Sequence, residues 1–269
     1  MTTLAMTSDS RVELAYQRHG TGDPVLLVAP AATSSGIWLN HQVPALIQAG
    51  YQAITFDNRG TAPSAAPPGP YRLSDLVTDT AGLIRELGIA PCRVVGASLG
   101  AMIAQELTLA HPELVTAAVM MGTRSRTDFY RRALGRATAV RMRAAEGPSD
   151  LDALAHLAQL FGRRTLANEQ MMSDWLTLLR RFPVRGPGPA AQYEAAVITD
   201  RTAALRDIRR PCLVIAFTED VITPAACCRE VADAIPGCQY AEIEAAGHFG
   251  FIEDPAAVNT ALIGFLARA

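Results

Sequence analysis

The segment Gly96-Ala97-Ser98-Leu99-Gly100 sets a serine between two glycines in the spacing Gly-x-Ser-x-Gly. It follows the short run Arg93-Val94-Val95 and precedes the helix-like Ala101 to Ala110, so the serine falls at a strand-to-helix turn. A turn tight enough to expose a serine hydroxyl forces an unfavourable backbone at that serine, and glycine or alanine must sit two places to either side. Ser98 would also stand at a helix N-terminus, where free N–H groups and the dipole favour developing negative charge. The chemistry this suggests is nucleophilic attack on a carbonyl; a plain structural turn is the alternative.

A serine hydroxyl is a poor nucleophile at neutral pH and needs a base beside it. The histidines are His19, His41, His111, His156 and His248. His111, in Ala110-His111-Pro112, reads as a helix-end residue. His19 and His41 lie in polar stretches near the N-terminus, and His156 lies in a helical segment. His248, in Ala246-Gly247-His248-Phe249, follows the last apolar run and is placed to reach back over the edge of a sheet. The base then needs an acid to hold its tautomer and stabilise the imidazolium. Asp220 follows the apolar run ending at Phe217 and precedes Thr223-Pro224, at the same sheet edge; Glu219 competes from the adjacent position.

The elements that must hold these residues are short apolar runs alternating with helix-like stretches, the pattern of a parallel sheet covered on both faces. The runs are Val25–Val28, Ala53–Phe56, Arg93–Val95, Ala117–Met121, Leu213–Phe217 and Tyr240–Ile243. Thr223-Pro224 and Asp254-Pro255 each read as an N-cap followed by proline at the first helical position. After Asp254, the residues Val258, Leu262, Phe265 and Leu266 share one helical face. Between 124 and 201 the strand runs stop. Helical periodicity replaces them (Leu151, Leu154, Leu157, Ala158, Phe161, then Trp175, Leu178, Leu179), broken at Gly186-Pro187-Gly188-Pro189. The expected organisation is a core over 1–123 and 202–269, with a helical cap inserted over 124–201.

Composition narrows the function. With 49% hydrophobic and 19% charged residues, the 269-residue chain can bury one large core. A net charge of −2 implies no field for nucleic acid or membrane, so the expected partner is a small-molecule substrate. All 24 basic residues are arginine, and the 124–201 segment holds 13 of them against eight acidic residues. Most of these read as solvated helix surface; the sharper reading is that one or more faces the pocket and binds a carboxylate. Five cysteines without a Cys-x-x-Cys pair indicate neither a disulfide framework nor a zinc site. The start of the chain does not read as a signal peptide, and no apolar run is long enough to span a bilayer. A cytoplasmic location is expected.

The chain resembles the α/β-hydrolase superfamily, and within it the non-haem haloperoxidase-like esterases and β-ketoadipate enol-lactonases. The likeness is carried by Asp57-Asn58-Arg59-Gly60, Ala66-Pro67-Pro68-Gly69-Pro70-Tyr71, Gly96–Gly100, Asp220–Pro224 and Gly247-His248. It implies a mostly parallel, doubly wound sheet with a helical cap, and a Ser98, Asp220, His248 triad in the chain order this fold uses. The family acid is followed four residues later by proline, which favours Asp220 over Glu219. Asp57 and Arg59 match a structural turn. Two departures stand out. Ala29-Pro30 replaces the usual His-Gly, although Trp38 keeps the register and implies oxyanion donors in the backbone N–H groups of Ala31 and Leu99. Phe217 stands where the family has glycine. The resemblance implies cofactor-free hydrolysis of an ester or lactone through an acyl-enzyme. Thioester cleavage, carbon–carbon bond hydrolysis and perhydrolysis reuse the same groups, and a non-catalytic binder on this scaffold is the alternative of another class.

Overall fold

A computed structural model describes residues 2–7, 11–144 and 149–269. Eight strands form one sheet: β1 Thr3–Met6, β2 Glu13–His19, β3 Asp23–Val28, β4 Tyr51–Phe56, β5 Cys92–Ala97, β6 Val115–Met121, β7 Cys212–Phe217 and β8 Gln239–Ile243. Their spatial order is β1-β2-β4-β3-β5-β6-β7-β8. The pairs β1–β2 and β2–β4 are antiparallel, and every other pair is parallel. All six apolar runs are strands. β1 and β2 are additional: they lie at the sheet's edge, and residues such as Glu13, Arg18 and His19 interrupt any continuous apolar signal.

Side chains alternate across the sheet with period two. Leu26, Val28, Val94, Met120 and Val214 point into one core, while Val25, Leu27, Val95, Val119 and Leu213 point into the other. Helices α2 (Leu73–Glu86), α3 (Leu99–Ala110) and α10 (Ala225–Ala234) cover the first face. Helices α1 (Gln42–Gln48) and α12 (Pro255–Leu266) cover the second, α12 with the Val258, Leu262, Phe265 and Leu266 face that its periodicity predicts. Asp254 caps α12 by accepting from the Ala257 N–H at 3.1 Å. The short α11 (Gly250–Glu253) precedes it.

Between β6 and β7 the described residues form helices and no strand: α4 Phe129–Arg143, α5 Asp150–Leu160, α6 Arg163–Leu166, α7 Glu169–Arg181, α8 Pro187–Ala195 and α9 Thr202–Leu205. The Gly186–Pro189 break is the start of α8. On α5 the buried stripe is Ala153, Leu157 and Leu160, continuing to Phe161, whereas Leu151 and Leu154 face solvent. The apolar residues of α5 therefore cover more than one face, and the periodicity does not say which of them pack. Among the described residues no helix is long and apolar enough to cross a membrane.

Candidate active site

Ser98 sits between β5 and α3 with φ 55° and ψ −115°, in the left-handed half of conformational space that a β-carbon disfavours. Its neighbours show why this turn needs glycine. A β-carbon on Gly96 would lie 2.1 Å from the Gly100 carbonyl oxygen, and one on Gly100 would lie 2.1 Å from that of Val28. The half-buried Ser98 opens into a cavity of about 670 Å³, which His248 also lines.

His248 and Asp220 are both 4% exposed, and His248 Nδ1 donates to Asp220 Oδ2 at 2.7 Å. That donation leaves Nε2 as the acceptor nitrogen of a neutral imidazole. The N–H groups of Ile222 and Thr223 both reach Asp220 Oδ1 at 2.8 Å, and the Thr223 hydroxyl donates to Oδ2 at 2.8 Å. Burial pushes the Asp220 carboxyl up, but the imidazole beside it and these hydrogen bonds outweigh burial and hold it below its ordinary value. Glu219 points elsewhere, into an ion pair with Arg163 at 2.8 Å.

The other histidines separate by environment. His19 ends β2 and contacts the Thr55 hydroxyl at 3.2 Å, His41 precedes α1, and His111 caps the C-terminus of α3 near Glu113. His156 differs from the reading of it as a residue of the insertion only, because it lines the same cavity as Ser98 and His248. The cysteines are free thiols, with Cys92, Cys212 and Cys228 buried.

The loop after β3, which lacks the His-Gly pair, is tied to its neighbours by side chains. Ser35 N–H reaches Asp57 Oδ1 at 2.6 Å, Asn58 Nδ2 donates to the Ala29 carbonyl at 3.3 Å, and Arg59 is held by Asp79 at 2.5 and 2.6 Å. Trp38 is fully buried against Phe251, their ring centroids 4.9 Å apart. Among the described residues the N–H groups of Ala31 and Leu99 make no hydrogen bond, and Ala31 lines the cavity with Ser98. Phe217 is fully buried, its ring 2.1 Å from where a β-carbon on Gly250 would stand, so Gly250 makes the room that Phe217 fills.

Residues 19–261 match the alpha/beta hydrolase family. The chain belongs to that family. It is 45% identical over 258 residues to a Mycobacterium tuberculosis protein provisionally named non-heme bromoperoxidase BpoC, an alignment covering 95% of this chain and 98% of the relative. The solved structure of Rv0554 from Mycobacterium tuberculosis superposes with a TM-score of 0.91 at 43% identity, covering 100% of this chain and 99% of that one. The enol-lactonase from Burkholderia xenovorans LB400 superposes with a TM-score of 0.86 at 28% identity, covering 98% and 100%.

Three supporting residues of this alpha/beta hydrolase escape a sequence reading. Thr223 looks like the N-cap of α10, but Pro224 holds that position and the Thr223 side chain serves Asp220 instead. The Asp-x-x-Thr spacing was the available signal, since such pairs bond locally. Gln192, fully buried on α8, accepts from Ala32 N–H at 2.6 Å and donates to the Arg59 carbonyl at 2.7 Å, tying the 124–201 segment to the loop that carries Ala31. A lone glutamine in an alanine-rich helix carries no signal of this. Glu253 accepts from Gly162 N–H at 2.9 Å and from Gly247 N–H at 2.5 Å, joining the end of α5 to the His248 loop. The two backbones run close enough that a β-carbon on Gly247 would stand 2.5 Å from Gly162 N.

Proposed function

We propose that this alpha/beta hydrolase cleaves an ester or lactone of a small molecule through an acyl-enzyme on Ser98, without a cofactor. The observation that carries the reading is the buried 2.7 Å hydrogen bond from His248 to Asp220 at the cavity into which the strained Ser98 opens. Ser98 Oγ attacks the carbonyl carbon while His248 Nε2 takes its proton. The carbonyl oxygen becomes an oxyanion held by the N–H groups of Ala31 and Leu99. Asp220, ionised and held in place by Thr223, orients the imidazole and stabilises it when charged. His248 then returns the proton to the leaving oxygen, and water attacks the acyl-enzyme by the same route in reverse. In this reading the 124–201 segment is a cap that shapes the pocket.

The relative's name supports a second reaction of the same intermediate. Hydrogen peroxide in place of water would release the acyl group as a peracid, which oxidises bromide. One experiment tests both. A panel of short aryl esters and lactones is assayed with and without peroxide, and a fluorophosphonate adduct on Ser98 is sought by intact mass. Turnover with a single adduct that is absent from Ser98→Ala supports the reading. Folded protein that takes no adduct and turns over no ester or lactone overturns it in favour of a binding protein.

A further inference from the structure

Arg124 is 6% exposed and lines the same cavity as Ser98 and His248. Its Nη2 donates to the Ala196 carbonyl at 2.8 Å, whereas Nε is buried and has no hydrogen-bond partner. Among the described residues no carboxylate lies within 4.0 Å of the guanidinium. Two other arginines of the cavity wall are occupied, Arg131 with Asp128 and Arg141 with Asp152. An unpaired buried charge is costly, and proteins normally pair it or bring it to water. Burial, together with the nearby Arg131 cation, pulls the Arg124 guanidinium down to about 10, still protonated at neutral pH.

The backbone that carries Arg124 is fixed from several sides. Ser98 N–H bonds the Met121 carbonyl at 2.9 Å, Thr123 N–H meets Cys228 Sγ at 3.2 Å, and Arg201 N–H bonds the Ser125 carbonyl at 2.9 Å. A β-carbon on Gly122, two residues before Arg124, would stand 3.3 Å from Asp220 Oδ2 and 3.5 Å from His248 Cε1. The guanidinium thus belongs to a segment that runs close beside the acid and base. The rest of the wall is largely apolar, including Met102, Leu134, Trp175, Leu179 and Phe249.

We propose that Arg124 is an anion-binding residue of this cavity, and that the substrate carries a carboxylate near its scissile bond on an otherwise apolar body. Guanidinium and carboxylate match in geometry and charge, and burial of Arg124 in a largely apolar wall strengthens the pair. Binding would supply a carboxylate in direct contact, where Asp128 and Asp220 act on Arg124 only from beyond ion-pair distance. The proposal rests on the hydrolase reading for the scissile bond but not for the anion site.

The test compares 4-nitrophenyl hemisuccinate with its neutral isostere 4-nitrophenyl 4-methylpentanoate. The wild-type chain should favour the hemisuccinate in kcat/KM by roughly 10–10²-fold, the range of a hydrogen bond to a charged group. Arg124→Met should erase that preference, read as the ratio of the two esters in the same variant so that any general loss cancels. Because the pair is buried, the preference should persist at about 0.5 M NaCl, where one from exposed arginines would collapse. Equal kcat/KM for both esters in the wild-type chain overturns the proposal, whether or not any variant folds. A binding arm needs no turnover: succinate should raise the Tm of Ser98→Ala and not that of the Ser98→Ala, Arg124→Met double variant. If no ester is cleaved and Ser98 takes no fluorophosphonate, the hydrolase reading falls, and the succinate shift alone decides Arg124. No shift in Ser98→Ala then overturns the anion site too.

Discussion

The sheet edge that carries Ser98 and Asp220 and the helical segment that roofs the cavity are built on opposite principles. All six residues of β7 are buried, whereas α7 buries none of its thirteen and α4 buries only Ala139. Apolar residues of the sheet point into a close-packed core, where volume and shape leave little freedom. Those of α7, such as Trp175 and Leu179, point instead into a cavity, and Leu178 and Phe182 at its wall stay 46% and 62% exposed. Fixed geometry for chemistry thus comes from one region and the shape of the binding space from the other. Substitutions in the two should therefore fail differently.

The largest effect should come from Ser98→Ala, with kcat falling roughly 10⁴–10⁶-fold and Tm near wild type, since triad members act as a unit. Retention of a tenth of wild-type kcat would remove Ser98 from the chemistry. Asp220→Asn should follow, at about 10⁴-fold, while Glu219→Gln, whose partners are the side chain and backbone N–H of the exposed Arg163, should leave kcat nearly unchanged. The reverse ranking would transfer the orienting role to Glu219. Asp220 also makes a pH prediction. Its carboxyl lies below its ordinary value in the folded chain, so it adds stability above the usual carboxylate range and loses it as pH falls through the folded value. Chemical unfolding of Asp220→Asn should accordingly show a flatter acid limb than wild type, and an identical limb would deny the coupling.

Ala31→Pro deletes a backbone N–H and should cost roughly 10²–10³-fold in kcat if that N–H holds the oxyanion. Thermal melting alongside separates this from a distorted loop, and a stable variant with near wild-type kcat would exclude Ala31 as a donor. The smallest effects sharpen the contrast between regions. Leu27→Ala, at a fully buried position of β3, should lower unfolding free energy by about 2–5 kcal/mol, whereas Leu178→Ala on α7 should stay within about 0.5 kcal/mol. The Leu178 variant should instead change kcat/KM unequally for short and long acyl chains. A uniform change would detach α7 from substrate shape.

The same contrast explains what a reader of the sequence can see. Strands β3 to β7 are legible because burial on both faces writes an apolar run, β8 through its Tyr240–Ile243 run although only Ile243 is buried, and Ser98 because its backbone admits only small neighbours. β1 and β2 are not, because both carry exposed positions that mix polar and charged residues into the pattern. On α5, Leu157 and Phe161 are buried but Leu151 and Leu154 are apolar yet exposed, so hydrophobic periodicity finds the helix without saying which of its apolar residues pack. Asp220 and Glu219 are adjacent in sequence and chemically alike; resemblance through Pro224 separates them, and only three-dimensional partners show why. Gln192 matters through a contact 160 residues away, to Ala32, which leaves no local trace, whereas the bond of Thr223 to Asp220 is local and its spacing readable.

The Glu253 carboxylate, shared between Gly162 and Gly247, has a consequence for how the molecule breathes. Phe249 N–H also bonds the Leu160 carbonyl at 2.8 Å, so the inner end of α5 and the loop of His248 open together or not at all. Amide protons at 162, 247 and 249 should exchange with solvent as one slow group, through an event that also dismantles the base. The outer helices carry few buried side chains, and their amides belong to the fast-exchanging end of the molecule. Exchange of the α4 and α7 amides should accordingly be faster than that of 162, 247 and 249, and equal rates would deny the separation.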